Sequence, residues 1–171
     1  AELIDREGVQ MVFGGVSSAV AIASGRAARD RNRIYFGTLT YSNATTGAAG
    51  HSHMFREPYN AWMTAKVLSQ YLNTQHAGDE YFYITADYTW GWSVEKSVRK
   101  FTNTENTDAH KGVKTPFPRA LITDFRQALE QAEQSGAKVL MMVLFGDDMV
   151  RALNVAYEMG LTRKMQVVVP N

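Results

Sequence analysis

YFYITADYTWGWSVEKSVRKF, residues 81–101, opens with Tyr81–Thr85, an aromatic and β-branched run of the kind that fills a buried strand. Asp87–Gly91 (DYTWG) reads as a turn, and Trp92–Phe101 as a helix. A strand that turns tightly into a helix is half of a βαβ unit. The pattern continues downstream. Asn103–Lys111 is a polar, exposed loop, and Gly112–Thr115 a short strand. Thr123–Ser135 is a helix with Phe125, Ala128, Leu129 and Ala132 on one face, stopped by Gly136. Lys138–Phe145 is a buried strand. Gly146-Asp147-Asp148 turns into a helix that runs to Met159 and closes on Gly160, and Met165–Val169 is a last strand.

Upstream, Val9–Phe13 is a strand closed by Gly14-Gly15. Ser17-Ser18 can cap a helix to about Arg31, whose basic end complements the helix dipole. Ile34–Phe36 is a strand and Thr38–His53 a loop. Pro58 is expected in the first turn of a helix from about Tyr59 to Leu72, broken by Gly78-Asp79. The alternation predicts an α/β fold of Rossmann-like parallel sheets flanked by helices. Residues 1–55 and 80–171 read as pieces of two sheets. The first shows only two clear strands, which would not stand alone.

Composition narrows the function. The 171 residues suffice for one domain or two small lobes. Eighteen Lys and Arg against 17 Asp and Glu leave a net charge of +1, which disfavours a nucleic-acid or anionic-membrane partner. With no cysteine, a disulfide framework, a cysteine-ligated zinc and a thiol nucleophile are excluded. The longest apolar run, Val139–Phe145, falls far short of the ~20 residues needed to cross a bilayer, so no membrane insertion is expected. No basic-then-apolar leader opens the chain, and Ala1 and Asn171 both read as cut ends of a longer protein.

Several residues invite chemistry, each with a plainer alternative. Ser17 and Ser18 sit where a strand becomes a helix. Free backbone N–H groups there attract a carboxylate or phosphate, although simple N-capping explains them equally well. The segment lacks a P-loop lysine and dinucleotide-fingerprint spacing, so nucleotide binding is not expected. Trp90 or Tyr88 can wall an apolar pocket or pack in the core. Asp147-Asp148 suits an acid/base pair, a hard cation or a ligand ammonium, or else serves the helix N-terminus. His51-x-His53 has no third ligand nearby, so no metal is expected. Ser18, His51 and Asp87 lack a nucleophile-elbow motif.

Leu3–Ala23 (LIDREGVQMVFGGVSSAVAIA), IYFGT, His53–Leu72, Tyr81–Phe101 and Thr123–Met142 occur in an order that resembles the type I periplasmic binding proteins. More specifically, they resemble the branched-chain amino acid and amide receptors of ABC transporters. The resemblance runs over essentially the whole chain and rests on order and spacing more than on any one motif. It implies two Rossmann-like lobes that close a cleft on a small ligand, with residues 1–57 part of the N-terminal lobe, 58–78 a helix and crossover, and 79–171 part of the C-terminal lobe.

The resemblance also implies that Ser17 and Ser18 hold the ligand carboxylate, Ser18 foremost. Backbone groups of Leu39, Thr40 and Tyr41 line the site, Trp90 packs on the ligand with Tyr88 beside it, and Phe145 and Asp147 face the cleft. Family members are about twice as long. The acid that pairs the ligand ammonium usually lies beyond Asn171, which leaves Asp147 as the local candidate. The implied protein is a non-enzymatic, periplasmic or extracytoplasmic receptor without a cofactor. It would bind an amino acid or amide and deliver it to a membrane permease. A ligand-sensing receptor or regulator of the same fold is an alternative, and a small α/β hydrolase a more distant one. On this reading Trp90→Ala weakens ligand binding with little loss of fold.

Overall fold

Short apolar strands pair in parallel throughout the computed structural model, which describes residues 1–170. The chain forms two compact units, one from Ala1 to Ala61 and one from Trp62 onward. In the first, α1 (Glu2–Asp5) leads to β1 (Met11–Gly14), α2 (Ser18–Arg29), β2 (Ile34–Gly37) and β3 (Met54–Arg56). The sheet order is β1-β2-β3.

β3 is a strand that the sequence reading did not assign, and it resolves the two-stranded sheet expected there. Its Met54, Phe55 and Arg56 pair with Tyr35, Phe36 and Gly37. Side chains alternate across the sheet. Val12, Tyr35 and Met54 therefore pack with Ala21 and Ala28 of α2. The opposite face carries a ladder of stacked rings, Phe13 on Phe36 and Phe36 on Phe55, each at 5.1 Å.

In the second unit, α3 (Ala61–Gln75) is followed by β4 (Tyr81–Ala86), α4 (Thr89–Thr102), β5 (Gly112–Thr115) and α5 (Ile122–Ser135). β6 (Val139–Val143), α6 (Gly146–Glu158) and β7 (Gln166–Val168) complete it. The sheet order is β5-β4-β6-β7. Phe82, Ile84 and Ala86 of β4 and Leu140 and Met142 of β6 pack with Phe125, Ala128, Leu129 and Ala132 of α5 and with Ala152 and Val155 of α6. These are the α5 residues expected on the apolar face. On the other side, Tyr83 lies beneath the Arg99 guanidinium of α4, 3.9 Å from ring centroid to Cζ. The sheet thus carries helices on both faces.

Two helix starts differ from expectation. α3 begins at Ala61, three residues beyond Pro58. The Ala61 N–H donates to the Tyr41 carbonyl at 2.7 Å and Tyr59 stacks on Tyr41, so residues before Ala61 are held against the preceding loop. α4 begins at Thr89, which places Trp90 and Gly91 inside its first turn. Among the described residues, no helix is long and apolar enough to cross a membrane.

Candidate functional site

The residues singled out from sequence lie just past the carboxyl ends of parallel strands, where open α/β sheets bind ligands. In the first unit, β1 ends at Gly14, and Gly15 takes a φ of +94°. A Cβ on Gly15 would come within 2.5 Å of the Tyr35 hydroxyl, which itself donates to the Gly14 carbonyl at 2.6 Å. That turn delivers Ser17 as the N-cap of α2 in an extended conformation. The Ser17 side chain makes no capping bond, and Ser17 is half-buried.

Ser18 is buried, and its Oγ accepts from the Ser42 N–H at 3.1 Å, so this hydroxyl ties α2 to the loop after β2. In that loop Leu39 is exposed, and Tyr41 is half-buried against Tyr59 at 4.7 Å. Burial, with the neighbouring Tyr59, raises the Tyr41 phenol. Thr40 is fully buried, and its Oγ1 has no hydrogen-bond partner.

In the second unit, β4 delivers Tyr88 and Trp90, and β6 delivers Phe145 and Asp147. Tyr88 is the N-cap of α4 and stacks on Phe117 at 3.9 Å. Phe117 lies in the irregular stretch between β5 and α5, where nothing in the sequence pattern marked it. Trp90 is only 3% exposed, with Phe145 edge-on at 6.2 Å and Tyr88 tilted at 5.9 Å. Phe145, the N-cap of α6, is 42% exposed. Trp90 is thus a packed core aromatic, and Tyr88 and Phe145 are the accessible rings.

Asp147 and Asp148 both occupy the first turn of α6, where they complement its dipole. Asp148 is buried and ion-paired with Arg151, whereas Asp147 is exposed. Asp87 accepts from the Trp92 indole at 2.8 Å and so ties that carboxylate to α4.

His51 Nδ1 accepts from the His53 N–H, and its Nε2 has no partner, so neither ring nitrogen engages a serine hydroxyl. Among the described residues, no group of three or more His, Cys, Asp or Glu could hold a metal ion.

Burial pushes the Tyr88 phenol up to about 12, with the Asp148 carboxylate adding to the shift. Burial, with Tyr83 and Asp79 adding, pushes Tyr81 to about 12 as well. An unfolded chain ionises its tyrosines near 10. The folded state keeps both phenols protonated further, so their contribution to stability is complete below pH 10 and is lost as pH rises toward 12. Denaturant midpoints are expected to fall across that window, with a smaller fall in Tyr88→Phe. A midpoint unchanged from pH 10 to 12 would contradict this.

A family model described as periplasmic binding protein matches residues 1–171. The chain belongs to this family. Solved periplasmic binding structures share its fold. One from Burkholderia mallei has 25% identity and a TM-score of 0.87, aligned over 99% of this chain and 44% of that one. A solute-binding protein from R. palustris, crystallised with 4-hydroxybenzoate, has 17% identity and a TM-score of 0.83 over 98% and 45% of the two chains. An ABC-transporter substrate-binding protein from Desulfitobacterium hafniense, in complex with Leu, has 17% identity and a TM-score of 0.68 over 98% and 48%. This periplasmic binding chain therefore spans less than half the length of those structures. No curated protein matches it significantly.

Proposed function

We propose that this chain is part of an extracytoplasmic solute-binding protein of an ABC transporter that captures an amino acid, an amide or another small carboxylic acid. The observation that carries the reading is the placement of its chemistry. In each unit the polar and aromatic candidates sit past the carboxyl ends of parallel strands, where open α/β sheets bind ligands. Residues 1–57 then belong to the N-terminal lobe, 58–78 to the crossover and 79–171 to the C-terminal lobe.

The half-buried Ser17, at the N-terminus of α2, is the better side-chain donor to a ligand carboxylate. Ser18 braces the loop through the Ser42 N–H. The buried Thr40 side chain leaves Leu39–Tyr41 to contribute through backbone and through the Tyr41 ring. On this reading Tyr88 and Phe145 supply the apolar wall, Trp90 supports them from behind, and the exposed Asp147 is the candidate for a ligand ammonium. A carboxylate is common to Leu and 4-hydroxybenzoate, the ligands of two structural neighbours. The candidates in each unit suit contacts to a small acid, so we read the protein as a non-enzymatic receptor that delivers its solute to a membrane permease.

Phe145→Ala tests the wall without disturbing the core, because the ring is half exposed. Affinity for the bound solute is expected to fall at least about tenfold, roughly 1.4 kcal/mol, with the melting temperature nearly unchanged. Unchanged affinity would remove Phe145 from the site.

A further inference from the structure

A separate cavity lies at the β5 edge of the second sheet. Its volume is about 560 Å³, and it is lined by Arg99, Lys111, Lys114, Thr107, Gln131 and Gln134, with Gly112 of β5 among its remaining walls. It shares no lining residue with the aromatic group of Tyr88, Trp90, Phe117 and Phe145.

Arg99 is its anchor. The residue is only 8% exposed. Its Nε donates to Glu95 Oε1 at 2.8 Å, and its Nη1 to the carbonyls of Thr104 at 2.9 Å and His110 at 2.8 Å. With the guanidinium carbon also 3.9 Å from the Tyr83 ring centroid, the fork is held in place from two sides. Among the described residues, Nη2 has no hydrogen-bond partner. It lies beside Gly112, where a Cβ would sit 3.1 Å from it, so the missing side chain leaves Nη2 open to the cavity.

Charge and backbone add to this. Lys111 and Lys114 flank Gly112 along the strand, and Lys114 is held only loosely, 3.7 Å from Asp87. Glu95 is the one carboxylate in the lining and offsets the charge of Arg99, so the excess positive charge comes from Lys111 and Lys114. The Tyr83 N–H bonds the Lys111 carbonyl and the Asp87 N–H the Thr115 carbonyl. By strand alternation the backbone groups of Gly112 and Lys114 then point to the unpaired edge. A buried guanidinium with an unused donor is the group that a charge-assisted bond to an oxyanion satisfies best.

We propose that this cavity binds a small, multiply charged oxyanion, a phosphate or a polycarboxylate, with Arg99 Nη2 as the directional donor and Lys111 and Lys114 as the supporting charges. The test is isothermal titration of the protein with inorganic phosphate and, separately, with citrate at low ionic strength. Parallel titrations use the double variant Lys111→Gln/Lys114→Gln and the variant Arg99→Lys. Saturable one-to-one binding of at least one anion is expected, and which of the two binds distinguishes the sources. Affinity should fall at least tenfold in the double variant, whose exposed lysines leave the melting temperature unchanged, and should also fall in Arg99→Lys, which keeps the charge but loses the fork. Absence of saturable binding by either anion, or equal affinity in the double variant, overturns the proposal. The double variant decides the matter should Arg99→Lys fail to fold.

Discussion

Gly91→Ala is expected to destabilise the protein by at least about 3 kcal/mol, several times the ordinary cost of a surface change. Gly91 is buried in the first turn of α4, directly after β4. A Cβ there would lie 2.1 Å from the Ala86 carbonyl oxygen and 3.1 Å from Thr85 Cγ2. The obstacle is backbone at the end of a fully buried strand, and that carbonyl already accepts from the Tyr88 N–H at 2.8 Å. The clash can be relieved only by moving the strand-to-helix junction. At this chain length the cost corresponds to a melting temperature lower by roughly 6–12 °C. A midpoint within a degree or two of the parent would show that the junction is softer than its geometry implies.

Trp90→Ala carries the second large effect. Removing a fully buried large aromatic costs about 3–5 kcal/mol, a large share of the ~5–15 kcal/mol that holds a typical domain. The loss also withdraws the edge contact under Phe145 and the tilted contact with Tyr88. The sequence-based expectation that this variant would lose affinity yet keep its fold is therefore corrected: the two losses arrive together. Denaturant unfolding of Trp90→Ala beside Phe145→Ala separates them. The first should lose about 3–5 kcal/mol and the second little. Equal stability in the two variants would contradict the assignment of Trp90 to the core.

The elements with strong local signals were readable from the pattern of apolar residues along the chain. Tyr81–Thr85 and Val139–Val143 are apolar on both faces because both faces are covered, and the 3.6-residue spacing of Phe125, Ala128, Leu129 and Ala132 appears directly as the buried side of α5. β3 escaped because three residues, Met54–Arg56, carry too little pattern, and only pairing with β2 makes them a strand. The start of α4 was misplaced because Asp87 and Gly91 look like turn residues. Gly91 is instead small because a carbonyl lies against it. The candidate positions after β1, β2, β4 and β6 were suggested by the family resemblance, and the fold sets them past the carboxyl ends of parallel strands. Which serine is buried and which aromatic is packed was not legible, because the Ser42 N–H that engages Ser18 and the Phe145 ring that meets Trp90 come from distant or irregular segments.

The central claim is tested most directly by titrating the full-length protein that contains this chain with the standard amino acids, their amides and hydroxybenzoates, and then repeating the titration of any binder with Ser17→Ala and Phe145→Ala. The account predicts that at least one carboxylate-bearing solute binds saturably and that each substitution weakens it tenfold or more while the fold persists. A protein that binds none of these solutes, or whose solute affinity is the same in both variants, would contradict it.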